Sequence, residues 1–218
     1  MKLNKYIEHT LLKQDATKSE ILKLLDEAKE YNFFGVCVNP VNVRFAFEYL
    51  KGTDVKIVTV VGFPLGQTTA EVKVLETIDA VKNGADEIDM VLNSGKLKDG
   101  DFDYIIDEIS KIKIACQGKN LKVILETDLL SSEEIKKACE LCIKGGADFV
   151  KTSTGFVKSG VGAKVEDVKL MFETVKNAGL EVKASGGVRD KDAAISMIEA
   201  GATRIGTSHA TKIIEGGN

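Results

Sequence analysis

Three segments of the chain place charged side chains inside short apolar runs, where an ionised group is costly to bury. Glu87 and Asp89 lie in EIDMV, Lys151 lies in FVKTST, and Lys183 lies in EVKASGG. In a strand, successive side chains point to opposite faces, so Asp89 and Lys183 point away from their apolar neighbours. If those neighbours face a layer of helices, the charged groups face the interior of the sheet structure.

Two lysines at the same height on adjacent strands can generate a nucleophile. Burial and a cationic neighbour both disfavour a second ammonium, so we expect the pKa of one lysine to lie well below its usual value of about 10.4. A neutral amine in a closed pocket is a Schiff-base nucleophile. Spacing alone does not decide whether Lys151 or Lys183 is the nucleophile. In the structural alternative, the lysines extend into solvent or pair with Glu87 and Asp89 without reacting.

Glycines and hydroxyl residues follow three consecutive strand candidates near the end of the chain. Gly155 follows the sixth run, Gly186–Gly187 follow the seventh, and Gly206, Thr207 and Ser208 close the eighth. Glycines let backbone N–H groups approach an anion, and this region is the usual phosphate site of (β/α)8 barrels. The set therefore predicts a phosphate site, although each glycine alone could serve a turn.

The elements that must position these residues alternate along the whole chain. Helical periodicity is clear in Lys18 to Tyr31 and in Glu133 to Lys144, where apolar side chains share one face. Between such segments lie eight runs that predict strands: Lys5 to Thr10, Phe34 to Asn39, Val55 to Val61, Glu87 to Val91, Leu121 to Glu126, Phe149 to Thr152, Glu181 to Ser185 and Arg204 to Thr207.

A recurring phrase at the predicted helix-to-strand junctions supports this alternation. It reads NGAD at 83–86, GGAD at 145–148 and AGAT at 200–203. A glycine just past a helix end can adopt the left-handed conformation that terminates the helix. The pattern predicts an α/β protein with one domain, residues 1–218, folded as a (β/α)8 TIM barrel. The alternative, an open doubly wound sheet, usually carries a G-x-G-x-x-G turn after its first strand, and that turn is missing.

Composition restricts the partners of this domain. The 218 residues are 44% hydrophobic and 29% charged, with a formal net charge of −3. Arginine occurs only at positions 44, 189 and 204, which leaves 27 lysines of the 30 basic residues. Such a balance predicts no nucleic-acid partner. No run reaches the roughly 18 apolar residues of a membrane span, and the N-terminus lacks a signal-peptide pattern. We therefore expect a cytoplasmic protein without a membrane partner.

The four cysteines form no regular framework and fit free thiols in a reducing compartment. Cys139 and Cys142 have the spacing of a metal or redox pair, but they lie in a predicted helix with no second pair and no nearby histidine. We expect neither zinc nor redox chemistry there, because structural zinc needs four ligands. Cys37, inside the second strand candidate, is expected to be a small buried apolar residue.

Five motifs together resemble the deoxyribose-phosphate aldolase family. They are EHTLLK at 8–13, VCVNP at 36–40, ADEIDMVLN at 85–93, VKTSTGF at 150–156 and KASGGVR at 183–189. The likeness extends from about Tyr6 to Ala210 with the motifs in family order. It implies a metal-independent class I aldolase without a cofactor, which reversibly cleaves 2-deoxy-D-ribose 5-phosphate into D-glyceraldehyde 3-phosphate and acetaldehyde. A homodimer is the assembly that the family implies.

The resemblance also implies roles for individual residues. Lys151 would form the imine, Lys183 would be the ammonium that lowers its pKa, and Asp89 would relay protons with Lys183 and a water. The implied substrate-binding residues are Glu8, Thr10, Cys37, Thr154, Gly155, Gly186, Gly187, Thr207 and Ser208. Glu8 stands where the family usually has aspartate, and His209 follows Ser208 where small residues are commoner. From its position alone, Arg189 either adds charge near the phosphate or, as is commoner for such a residue, forms a salt bridge.

Two other functions remain open from the residues themselves. A phosphate-binding barrel isomerase would use a carboxylate base and no imine, and a sugar-phosphate binding protein would perform no chemistry. Reductive trapping with borohydride separates both from the aldolase, because only the aldolase forms an imine on a lysine.

Overall fold

The computed structural model describes residues 2–216, and they form a closed barrel of eight parallel strands in chain order. Residues 1, 217 and 218, at the limits of the predicted domain 1–218, lie outside the described residues. The strands are β1 Ile7–Leu11, β2 Gly35–Val38, β3 Lys56–Val61, β4 Glu87–Val91, β5 Asn120–Ile124, β6 Phe149–Lys151, β7 Glu181–Ser185 and β8 Arg204–Thr207. The predicted TIM barrel is confirmed.

Helices cover the outside of the barrel between consecutive strands. They are α1 Lys18–Glu30, α2 Val43–Tyr49, α3 Ala70–Lys82, α4 Ser94–Lys98, α5 Phe102–Ala115, α6 Ser132–Gly145, α7 Val165–Val175, α8 Lys191–Glu199 and α9 Ala210–Glu215. Within residues 2–216, no helix combines the length and the apolar character that crossing a membrane requires.

Local signals explain where the helices begin and end. Capping boxes start α1 at Thr17 and α6 at Ser131, each with a glutamate three residues later. At the junction phrase, Gly84, Gly146 and Gly201 have φ values of +106°, +79° and +112°. This left-handed backbone confirms the predicted helix-ending function of the phrase.

The main apolar core lies between the barrel and the helices. Ile88 and Met90 of β4 and Val182 and Ala184 of β7 belong to it. The residues between them on these strands therefore point toward the barrel axis, as the two-residue period predicts. A separate small apolar cluster of Leu12, Cys37, Val58 and Val60 fills part of the interior on the side of the first three strands.

Candidate active site

Charged side chains fill the rest of the barrel interior. Seven of them are buried there and linked by ion pairs: Glu8, Glu87, Asp89, Lys122, Lys151, Lys183 and Arg204. The strand register aligns them, because Lys151 pairs with Lys183 across β6 and β7, and Asp89 pairs with Lys122 across β4 and β5. Each charged group is therefore presented to the axis by a strand that also packs apolar residues outward.

Asp89 is the acceptor at the centre of this cluster. Its Oδ2 atom accepts hydrogen bonds from Lys151 Nζ and Lys183 Nζ, each at 2.7 Å. Its Oδ1 atom accepts one from Lys122 Nζ at 2.9 Å. The predicted juxtaposition of Asp89 with both lysines is thus present, and a third lysine joins them.

Lys122 and Arg204 are the charged interior residues that the sequence reading missed. Lys122 Nζ lies 2.5 Å from Glu87 and 3.4 Å from Glu8. The Nη1 atom of Arg204 bridges Glu8 at 3.0 Å and Glu87 at 3.1 Å. The signal was available, since both residues lie inside predicted strands, LKVILE and RIGT. We expect charged residues inside three strands only, and that expectation is too narrow, because β5 and β8 also carry one each.

The number of carboxylate partners distinguishes the two candidate lysines. Lys183 contacts both Asp89 and Glu8, whereas Lys151 contacts Asp89 alone. The cluster holds four basic groups and three carboxylates, so its charges balance when one basic group is neutral. Lys151 is the group that can lose its proton at least cost, because it shares its only carboxylate oxygen with Lys183.

The pKa directions follow this geometry. Burial and the charge of Lys183 lower the pKa of Lys151, although Asp89 opposes them. Burial would also lower the pKa of Lys183, but Asp89 and Glu8 together raise it above its usual value. Burial would raise the pKa of Asp89, yet the charges of Lys122, Lys151 and Lys183 hold it well below its usual range. The expectation that one lysine has a lowered pKa agrees with these directions.

A cavity of about 820 Å³ opens at the carboxyl ends of the strands above this cluster. Lys151 lines it at its floor, and eight predicted site residues are among the lining: Thr10, Lys151, Thr154, Gly155, Gly186, Gly187, Thr207 and Ser208. Asp89, Lys183, Glu8 and Cys37 are buried beneath the cavity and are not part of its lining. Of the two candidate lysines, Lys151 is therefore the one that faces the space where a substrate fits.

One side of the cavity is suited to an anion. Gly186 and Gly187 line this side with φ values of +79° and +75°, and turns of successive residues such as these can present backbone N–H groups to an anion. Arg189 and His209 also line this side and add polar groups. The Thr207 hydroxyl donates to the Val188 carbonyl at 2.7 Å and accepts from His209 N–H at 3.0 Å. Thr207 therefore has its hydroxyl engaged within the protein.

Glu8 and Cys37 lie deeper than a substrate contact requires. The Glu8 carboxylate is fully buried between Lys183, Arg204 and Lys122. Cys37 belongs to the interior apolar cluster, and burial raises the pKa of its thiol to about 11. Ligand atoms of Glu8, Cys37 and Asp89 lie within 4.8 Å of one another. A metal is a poor fit, because both carboxylates face ammonium groups and the thiol is protonated at neutral pH.

The other three cysteines, Cys116, Cys139 and Cys142, are buried in the main apolar core and do not line the cavity. Cys139 and Cys142 occupy the buried face of α6 in the main apolar core. Burial raises the pKa of the Cys139 thiol to about 12 and that of the Cys142 thiol well above its usual value. These side chains serve packing.

Comparison with known proteins identifies relatives along nearly the whole chain. A sequence model of the DeoC/LacD family of aldolases matches residues 3–212. The chain is 56% identical over 217 residues to a deoxyribose-phosphate aldolase of Enterococcus faecalis, covering 99% of this chain and 97% of the relative. It is 58% identical over 215 residues to one of Aciduliprofundum boonei, covering 98% and 96%. A tetrameric deoxyribose phosphate aldolase from Aeropyrum pernix superposes with a TM-score of 0.90 at 35% identity, covering 98% of this chain and 89% of that one.

Proposed function

The chain belongs to the DeoC/LacD family of aldolases, and from this membership we propose that it works as a class I deoxyribose-phosphate aldolase. The reaction is the reversible cleavage of 2-deoxy-D-ribose 5-phosphate into D-glyceraldehyde 3-phosphate and acetaldehyde. The observation that carries the mechanism is the position of Lys151. It is the lysine at the cavity floor, has one shared carboxylate oxygen as partner, and has a lowered pKa.

Imine formation is the first task of this site. The neutral amine of Lys151 attacks the aldehyde carbon of the open-chain sugar, and the adduct takes up one proton and loses water to give a protonated imine. Lys183 stays charged beside Asp89 and disfavours a proton on Lys151 before the attack. In this proposal Lys151 is the nucleophile and Lys183 the charged neighbour, an assignment that strand spacing left open between the two lysines.

Carbon–carbon cleavage follows from the imine. A base removes the proton of the C3 hydroxyl, the C2–C3 bond breaks, and its electron pair moves into the protonated imine. The products of this step are glyceraldehyde 3-phosphate and an enamine of acetaldehyde on Lys151. Protonation of the enamine carbon and hydrolysis of the imine then release acetaldehyde. We assign these proton transfers to Asp89 and Lys183, with a water between them and the substrate.

The substrate phosphate fits the glycine-rich side of the cavity. In this proposal Gly186, Gly187 and Ser208 hold it through backbone N–H groups and a hydroxyl, while Thr154 and Gly155 line the approach. Thr207 contributes mainly by fixing this segment, because its hydroxyl is already bonded to Val188. Thr10, Glu8 and Cys37 stay predicted substrate contacts, and the last two would need the substrate to reach below the cavity floor.

Reductive trapping tests the proposal against the isomerase and the binding protein. Incubation with acetaldehyde and borohydride is expected to give one reduced adduct, and peptide mass mapping should place it on Lys151. An isomerase or a binding protein would give no adduct on that residue. Formation of D-glyceraldehyde 3-phosphate from the deoxypentose phosphate, followed with a coupled dehydrogenase, supplies the activity measurement.

We also propose that the protein works as a homodimer in the cytoplasm. Three apolar side chains of α3, Val72, Leu75 and Ile78, recur every third residue and are 43%, 65% and 41% exposed, and Leu65 nearby is 75% exposed. An apolar stripe of this kind is typical of a surface that a second copy covers. Light scattering should give about twice the monomer mass, and Leu75→Lys should shift it toward the monomer.

A further inference from the structure

Two carboxylates after β5 hold the chain segment that follows β6. Glu126 accepts the Thr154 N–H at 3.1 Å with Oε1 and the Thr154 hydroxyl with Oε2. Asp128 accepts the Gly162 N–H at 2.8 Å with Oδ2. The two acidic side chains therefore fasten residues 154–162 near both ends.

The fastened segment in turn packs on the glycines that line the anion side of the cavity. The Ala163 N–H donates to the Gly186 carbonyl at 3.0 Å. The backbones approach so closely that a Cβ at Gly162 would lie 2.4 Å from the Gly186 carbonyl carbon, and one at Gly187 would lie 2.3 Å from the Val161 carbonyl oxygen. Residues 161–163 therefore cannot shift toward Gly186 and Gly187 without moving them, and a shift away from them breaks the Ala163 hydrogen bond.

Glu126 bears a backbone cost that its side-chain contacts offset. Its φ and ψ are +60° and +63°, in the left-handed region that non-glycine residues adopt at a cost of about 1 kcal/mol or more. The residue is 5% exposed, and burial raises the pKa of its carboxyl against the hydrogen bonds from Thr154. Strained backbone joined to a buried acid marks a position that the surrounding structure constrains closely.

Neither acidic side chain faces the main cavity. Glu126 and Asp128 line a second, smaller cavity of about 80 Å³, which shares Gly155, Gly186, Gly187 and Arg189 with the lining of the main cavity. Because neither carboxylate belongs to the lining of the main cavity, the influence on a bound substrate that we assign to them passes through the residues that they hold.

We propose that Glu126 and Asp128 are positioning residues that set the affinity for the substrate phosphate by fixing residues 154–162 against Gly186 and Gly187. This inference rests on the proposed function. It separates two parts of the site, because imine formation at Lys151 depends on the charged cluster around Asp89, with which neither residue shares a hydrogen bond or ion pair, and the Glu126 carboxylate acts on Lys151 only through space.

Substitutions that remove these acceptors test the proposal. Glu126→Gln leaves one acceptor oxygen where two are used, and Asp128→Ala removes the acceptor of the Gly162 N–H. Each is expected to raise KM for 2-deoxy-D-ribose 5-phosphate by about tenfold, the factor that corresponds to ~1.4 kcal/mol. KM for unphosphorylated 2-deoxyribose and the rate of acetaldehyde trapping by borohydride should stay within about twofold of wild type.

Two matched variants serve as controls for this measurement. Asp128→Asn retains an acceptor oxygen and should restore most of the lost affinity. Glu133→Gln removes an exposed carboxylate six residues before Cys139 on α6 and should change nothing. Circular dichroism and thermal unfolding identify any variant that fails to fold. If Glu126→Gln is such a variant, the comparison of KM between Asp128→Ala and Asp128→Asn tests the proposal.

The possible results are distinguishable. Unchanged KM for the phosphorylated sugar in folded Glu126→Gln and Asp128→Ala overturns the positioning role. An equal rise in KM for the unphosphorylated sugar, or loss of acetaldehyde trapping, also overturns it, because the effect would then not be specific to phosphate. Absence of trapping in the wild-type protein would refute the aldolase proposal itself.

Discussion

Lys151 Nζ and Lys183 Nζ donate to the same atom, Oδ2 of Asp89, each at 2.7 Å. The two lysines are directly paired in the register of β6 and β7. One carboxylate oxygen cannot fully compensate two ammonium groups, so the sharing itself makes one proton easier to remove. Glu8 supports Lys183 from the other side, and the proton is therefore lost from Lys151.

Removal of the second ammonium should raise the pKa of Lys151. In Lys183→Leu, the Oδ2 atom of Asp89 accepts from Lys151 alone, while Lys122 stays on Oδ1, and this stabilises the ammonium of Lys151. We expect turnover at pH 7 to fall at least a hundredfold, on the order of two pKa units. The pH profile of acetaldehyde trapping should shift to higher pH, since the neutral amine forms only above the raised pKa.

An exposed lysine provides the control for that experiment. Lys191→Met on α8 should leave the rate and its pH profile unchanged. Wild-type turnover in folded Lys183→Leu would show that Lys183 does not tune the nucleophile.

The small size of Gly206 preserves the position of Lys183. A Cβ at this position of β8 would lie 3.0 Å from Lys183 Cε and 3.1 Å from Ser185 Cβ. Gly206→Ala should therefore displace the Lys183 side chain and lower kcat by on the order of tenfold. Gly95→Ala, where the nearest atom would be 3.4 Å away, is the matched substitution. Equal kcat in both variants would contradict the steric account.

The alternation of apolar and charged residues was sufficient to predict the strands that carry the chemistry. The bounds of β4, β7 and β8 match the predicted runs. β1 begins two residues later than predicted, because Leu3–Tyr6 form a 3₁₀ helix before it. Asp89, Lys151 and Lys183 point inward because their neighbours Ile88, Val150 and Val182 pack against the helices.

The strand pattern does not predict how deep each inward side chain lies along the barrel axis. The stagger between strands decides which inward residues reach the cavity and which lie below it. Glu8 and Lys151 both point inward, yet only Lys151 lines the cavity. Lys122 was missed because LKVILE reads as an almost continuous apolar run, as buried parallel strands do.

A buried ion pair between α3 and α5 lies outside the barrel interior. We expect that apolar side chains can replace both of its members with little loss in the free energy of unfolding. Lys73 on α3 and Glu108 on α5 are fully buried and 2.8 Å apart, and Lys73 also donates to the Val91 carbonyl at 2.9 Å. Burial lowers the pKa of Lys73 and raises that of Glu108, so both charges are held at a cost. Lys73→Met alone should lower the free energy of unfolding by ~3–5 kcal/mol.

The double variant of this pair provides the contrast. Lys73→Met with Glu108→Leu removes both charges, and it should be more stable than the single variant by several kcal/mol. Urea unfolding measures both. A double variant less stable than Lys73→Met would mean that the unpaired Glu108 is not what destabilises the single variant, and a double variant several kcal/mol less stable than wild type would mean that the pair contributes more than its desolvation costs.

Acid should unfold the protein through the carboxylates of the barrel interior. Burial would raise the pKa of Glu8, but Lys122, Lys183 and Arg204 hold it below its usual value, as Asp89 is held by its lysines. A carboxylate with a lowered folded pKa contributes stability above its unfolded pKa of about 4.3, and that stability is lost as pH falls toward the folded pKa. Below about pH 4.3 the unfolded chain binds the extra proton, so the free energy of unfolding rises with pH.

Removal of one buried carboxylate should make the free energy of unfolding less dependent on pH in the acid range. Glu8→Gln is expected to be less stable than wild type at pH 7, since Lys183 and Arg204 lose a partner. Between about pH 3 and 4 its free energy of unfolding should change less steeply, by up to about 1.4 kcal/mol per pH unit, the value for one proton. Urea titrations at a series of pH values measure both slopes, with Glu133→Gln as the exposed control. Identical slopes in wild type and Glu8→Gln would show that Glu8 has no lowered pKa in the folded protein.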